Sequence, residues 1–152
     1  MTGTASQLNP SAEGAQVVMS SAPLDLLPTP NGTAVDLPGM TFTTTSAGMY
    51  QVVAVVRGRV VCNNVGGAWV TGVLVRGDTG AVIGRTMAAH ASVPGAAGSV
   101  RADSPGTVTW AGQLPAGVTV KAQAFRQGAP STECGVLSDG NGFTHLSWTR
   151  IG

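Results

Sequence analysis

The sequence predicts an all-β protein, an antiparallel two-sheet sandwich of about eight or nine strands. Three observations carry this. Over residues 50–62 the even positions, Tyr50, Val52, Ala54, Val56, Gly58, Val60 and Cys62, are apolar or small, while the odd ones include Gln51, Arg57 and Arg59. That is the two-residue period of a strand with one buried face. Pro23, Pro28, Pro30 and Pro38 interrupt the early chain, which excludes a helix there. The remaining apolar runs are short, alternate, and are bounded by Gly, Asn, Asp and Pro, the residues of turns.

In chain order, residues 1–14 are polar, small and without apolar period, an extended arm, and residues 15–152 form one β-sandwich domain. An arm of this kind gains order only where another surface satisfies its backbone groups. Residues 16–21 are a candidate first strand, residues 24–27 and 33–37 are short extended pieces, and Asn31-Gly32-Thr33 reads as a turn after Pro30 rather than as a glycosylated sequon. A threonine-rich strand then meets a tight turn at Ala47 and Gly48, and the long strand follows as a central member of its sheet. Residues 68–76 form a strand with Trp69, Thr71, Val73 and Val75 on one face, and the turn 77–80 leads into its hairpin partner, residues 81–89. Arg76-Gly77-Asp78 spells the tripeptide that integrins read, but its place in a glycine-rich hairpin gives it a sufficient role as a turn. Residues 90–106 read as a long loop of small residues, residues 106–112 as a short strand around Trp110, residues 117–126 as an alternating strand, and residues 127–142 as a second long loop. Residues 143–151 close the sheet.

Phe42, Thr43, Ala47, Gly48 and Tyr50, in that order, resemble the signature of the jelly-roll heads shared by the tumour-necrosis-factor superfamily and the complement globular heads, a fold also found in bacteriophage decoration and fibre proteins. Residues 114–120, with Gly117, resemble the family's entry into a late strand, and residues 144–152 resemble its C-terminal strand. The resemblance touches about a third of the chain. It implies a jelly roll in which Phe42, Gly48, Tyr50 and Gly117 define the fold, and it implies a homotrimer. It supplies no catalytic site.

Composition agrees with an associating protein. Charged residues are 10% of the 152-residue chain, against roughly 25% in an ordinary soluble domain. Fifteen charges cannot cover a free monomer in the usual way, so either neighbouring chains bury much of the surface or Thr, Ser, Gly and Gln cover it; burial in an oligomer is the expectation. A net charge of +1 with a single lysine, Lys121, argues against nucleic acid as a partner. No apolar run is long enough to span a bilayer, and the first residues carry no basic and apolar leader, so the protein is expected to stay where it is made. Cys62 and Cys134 form no metal set; they would pair as a disulfide only if the late loop folded over the end of the long strand, and a reducing compartment disfavours that.

Chemistry is sparse. His90 and His145 are the only imidazoles, the acids are scattered singly, and no nucleophile, metalloprotease or phosphate-loop motif occurs, so no enzyme and no cofactor are expected. Residues 139–142, Asp-Gly-Asn-Gly, read as a turn rather than a calcium loop, since further carboxylates are lacking. Together with the low charge, the arm and the missing leader, the resemblance implies a non-enzymatic bacteriophage virion protein made in the host cytoplasm. The leading form is a trimeric capsid decoration, or cement, protein that binds the major capsid protein or other virion proteins through its arm. The alternative is the receptor- or glycan-binding head of a tail fibre or adhesion module, with loops 90–106 and 127–142 as its contact surface. The absence of coiled-coil or collagen-like repeats in residues 1–14 favours the first.

Overall fold

The structure is a computed structural model and describes residues 14–94 and 98–152. The predicted arm, residues 1–14, lies outside the described residues except for Gly14, which already belongs to the first strand. Ten strands are formed among the described residues: β1 (Gly14–Val18), β2 (Leu24–Asp25), β3 (Val35–Thr43), β4 (Gly48–Cys62), β5 (Gly66–Arg76), β6 (Val82–Val93), β7 (Val100–Leu114), β8 (Thr119–Gly128), β9 (Ser131–Leu137) and β10 (His145–Arg150). They build two antiparallel sheets. The first runs β1-β10-β4-β9-β2 with β7 on the other side of β4, and the second runs β3-β8-β5-β6.

β4 is the central element, as its alternation predicts. Tyr50, Val52, Ala54, Val56 and Val60 are completely buried, whereas Gln51 is exposed. Its inner face meets the second sheet at close range: a Cβ added at Gly72 of β5 would stand 2.8 Å from a Val56 methyl, and one at Gly58 would stand 3.0 Å from Ala88 Cβ. Small residues thus set the spacing of the sheets in the middle, and Leu74, Val70, Val120, Ala122 and Ala124 complete the opposing layer. In β5 the inward face is Ala68, Val70, Gly72 and Leu74, so Trp69, Thr71, Val73 and Val75 share the outer one.

Two predicted loops are instead largely strand. Residues 90–106 contain the end of β6 and the start of β7, joined by a short connection, because residues 100–105 pair with β4 from Cys62↔Val100 to Arg57↔Pro105. Pro105 obscured this in the sequence; it is tolerated because β7 pairs with β4 alone and so forms a sheet edge, where a missing N–H costs no ladder bond. Residues 127–142 contain β9. The long strand extends past its β10 partner, which covers only Tyr50 to Val55, and β9 takes over the exposed backbone edge from Arg57 to Cys62.

Cys62 and Cys134 lie on these neighbouring strands, both facing inward, and both are free thiols. The disulfide that the sequence left possible but disfavoured is not formed. Cys134 stands opposite Val60, two residues short of Cys62, and the register shifts between Val61 and Cys62. The Cys62 Sγ is directed at the following turn, 3.3 Å from Asn64 O. Burial pushes the Cys134 thiol up to about 11, so the reactive thiolate is scarce at neutral pH.

Candidate functional site

The four predicted fold-defining residues converge at one end of the sandwich. The Phe42 ring stacks on Trp148 at 4.4 Å and lies 6.3 Å from Tyr50, whose ring is fully buried. The Tyr50 hydroxyl donates to Ser46 O at 2.7 Å, tying the start of β4 to the turn before it. Gly48 is required by crowding: a side chain there would meet Gly152 O and the Arg150 guanidinium. Gly117 is required by backbone, with φ of 80° in a turn whose N–H reaches Thr44 O at 2.8 Å. The clasp itself is Thr44, buried, which donates its hydroxyl to Pro115 O and accepts from Val118 N–H. Sequence reasoning singled out neither Thr44 nor Trp148 as a partner in this group. β1 begins at this same end, with Gly14 opposite Thr149, close to the C-terminus. Residues before Gly14 therefore join the domain here.

Halfway along the outer face of the first sheet sits a charged cluster. Arg57, only 8% exposed, donates from Nε to Asp103 at 2.9 Å and from Nη1 to Asp139 at 2.5 Å and Gly142 O at 3.2 Å. Arg59 donates to the same Asp103 at 2.9 Å and to Glu133 at 3.2 Å. Behind them is a buried polar seam where β9 leaves β4 and β10 joins it. Thr144 accepts from Arg57 N–H, donates to Leu137 O at 2.7 Å, and its own N–H bonds the Ser138 hydroxyl, which in turn donates to Met19 O. The predicted turn 139–142 is confirmed by the Asp139↔Gly142 bridge, and its aspartate serves Arg57 and the Asn141 N–H.

These contacts fix the electrostatics. Burial works to raise the Asp103 carboxyl, but the Arg57 and Arg59 guanidinium groups outweigh it and hold it below the ordinary carboxylate value. The Asn141 N–H and Arg57 do the same for Asp139. A carboxylate whose folded value is depressed stabilises the fold fully above its unfolded value, near pH 4, and loses that contribution as pH falls through the folded value. Asp103 and Asp139 keep 24% and 41% of their side-chain exposure, so water screens the ion pairs. Arg57→Ala is therefore expected to lower the unfolding free energy by about 1–3 kcal/mol and to flatten the acid loss below about pH 4. Urea midpoints of the parent and variant between about pH 3 and 7 check both expectations; identical pH profiles would remove the cluster from the account.

Neither imidazole is hydrogen-bonded to this cluster, and the two differ in role. His145 Nδ1 lies 3.3 Å from Phe143 O at the start of β10, and His90 packs edge-on to Trp69, with ring centroids 6.1 Å apart. In the hairpin turn, Arg76 and Asp78 of the integrin-like tripeptide bond each other at 2.7 Å and 3.0 Å. A groove of about 250 Å³ lies beside β2 and β9, walled by Leu24, Leu27 and Leu137 and rimmed by Asp25, Arg59 and Glu133.

Toward the Tyr50 end, the first sheet's outer face carries no Asp, Glu, Lys or Arg. Three rows cross it: Gly14, Thr149, Gln51 and Ala111; then Gln16, Ser147, Val53 and Thr109; then Val18, His145, Val55 and Thr107. Val18 is 44% exposed, and nearby Phe143 is 54% exposed.

No protein-family model matches the chain, and no curated protein matches it in sequence.

Proposed function

We propose that this chain is a non-enzymatic structural protein of a bacteriophage virion, a homotrimeric jelly-roll decoration protein that binds the assembled shell and stabilises it. The observation that carries the reading is a three-row stretch of the first sheet's outer face, twelve positions without an Asp, Glu, Lys or Arg, of which five are apolar, six carry a hydroxyl or amide and one is His145. A face so poor in charge and bearing exposed Val18 has the composition of a subunit interface core, from which charged residues are depleted. The charged cluster at Arg57 and Arg59 would then border the contact as its polar rim.

The jelly roll has support in strand order. With the short β2 and the inserted β9 set aside, the two sheets read β1-β10-β4-β7 and β3-β8-β5-β6, pairing early strands with late ones as two nested Greek keys do. The Tyr50 cluster supports the same reading at the residues that carry the resemblance.

Attachment is assigned to residues 1–14. They enter at the β1 end, beside the C-terminus, so three arms of a trimer would leave from one end and engage the major capsid protein or another virion protein together. Three tethered weak contacts gain avidity without a large interface. Light scattering of the isolated protein at micromolar concentration is expected to give three chains, and deleting residues 2–13 is expected to leave both trimer and melting temperature nearly unchanged while weakening binding to undecorated shells. A stable monomer would overturn the oligomer, and full shell occupancy by the truncated protein would overturn the arm.

A further inference from the structure

The outer face of the second sheet differs from that of the first. Across its β6–β5–β8 side, one row is His90, Trp69 and Gln127, and the next is Met87, Thr71 and Phe125. Trp69 is half-buried with an imidazole on one side and a primary amide on the other, both exposed. The His90 ring lies over Gly67, whose missing side chain leaves the space: a Cβ there would stand 3.0 Å from His90 Nε2. Met87 is 54% exposed beside Thr71, and Phe125 is half-buried on Thr71's other flank. Charge begins only in the third row, at Arg85 and at the Asp36 paired with Lys121.

From this juxtaposition we infer that the outer face of the second sheet binds a neutral saccharide, with Trp69 as the stacking surface and His90 and Gln127 as flanking hydrogen-bond partners. The sugar's C–H face lies on the indole, which is large, rigid and costs little side-chain entropy to present. Its hydroxyls, each donor and acceptor, meet the Gln127 amide, which both donates and accepts, and the His90 imidazole. The lack of any carboxylate or cation in the two rows selects an uncharged ligand over an acidic one. A protein partner fits less well, because a standard interface takes about 20–30 residues a side and this neutral patch ends after two rows. The inference goes beyond the virion reading and does not depend on it, since it uses neither the arm nor the first sheet.

The test uses the full chain, with chitotriose, cellotriose, maltotriose and lactose as soluble probes by saturation-transfer NMR and tryptophan fluorescence, and with chitin and cellulose as insoluble probes by co-sedimentation. At least one neutral sugar is expected to bind. Trp69→Ala is expected to weaken that binding by about tenfold or more, as loss of an aromatic anchor does. Gln127→Ala and His90→Ala change exposed side chains and serve as variants that keep the fold; each is expected to weaken binding severalfold with the unfolding midpoint unchanged. Binding to the polymers alone places the ligand on a surface, and binding to the trisaccharides as well places it free in solution; either supports the site. No binding in both arms up to about 10 mM sugar, a range that covers weak single-site contacts, overturns it, as does binding that all three variants retain. Retention of heparin fragments in place of neutral sugars also overturns it. A monomeric protein that binds sugar would separate this inference from the oligomer, which would then fail alone.

Discussion

Tyr50→Ala is expected to lower the unfolding free energy by about 3–5 kcal/mol, the range for deleting a buried aromatic ring. The ring is fully enclosed and stands beside Phe42, which is itself stacked on Trp148, so truncation opens a cavity at a point where β3, β4 and β10 meet. The loss of the hydroxyl adds a second cost by freeing Ser46 O and the turn that feeds β4. Tyr50→Phe separates the two, and it is expected to cost about 0.5–1.5 kcal/mol, the net worth of one hydrogen bond. Urea unfolding followed by tryptophan fluorescence measures both. If Tyr50→Ala unfolds at the parent's midpoint, the cluster does not organise the fold.

Gly128→Ala comes next in size. Gly128 ends β8 with φ of 99°, a conformation that a side chain strains. The added Cβ would collide with Gly67 O and stand 2.9 Å from Ala68 Cα, both backbone atoms of the neighbouring β5, so no rotamer relieves the clash. Strain and overpacking each cost about 1–3 kcal/mol, and the β5–β8 pairing above Ala68 is expected to separate. The same urea experiment reports the loss, and hydrogen exchange at residues 67–70 and 125–128 is expected to rise in the variant while residues around Tyr50 stay protected. Unchanged protection at residues 67–70 would mean the strands part nowhere and the local argument fails.

What the sequence disclosed followed from period. β4 and β8 alternate, and apart from Arg57 their buried residues are the even ones the alternation names. The β5–β6 hairpin follows from its glycine-rich turn. The strands missed were those whose inward residues are too small to look like core. In the start of β7, Val100, Ala102, Ser104 and Gly106 do alternate with Arg101, Asp103 and Pro105, but serine, glycine and proline read as loop before they read as period. β9 could have been inferred only by counting partners for a strand as long as β4, which is a tertiary argument.

The charged residues were the least legible. Arg57 and Arg59 occupy the solvent side of the alternation, where arginines are ordinarily free, yet Arg57 is buried because acids from β7 and the 139–142 turn close over it. Arg126, at the end of β8, reaches the carbonyls of Leu26, Leu27 and Thr29 and the Asn31 side chain, and so pins the proline-rich segment to the sandwich. Each partner is separated from its arginine by dozens of residues, and nothing local announces the contact. The neutral faces have the same character: a row such as Gln16, Ser147, Val53 and Thr109 exists only once four strands are in register.

The proposed decoration role places this chain on a capsid shell. Cryo-electron imaging of purified virions, with an antibody fragment against the described domain as a marker, tests it most directly. Label is expected over the capsid shell in groups of three. Label confined to a tail tip, or particles that carry none of this chain, would contradict it.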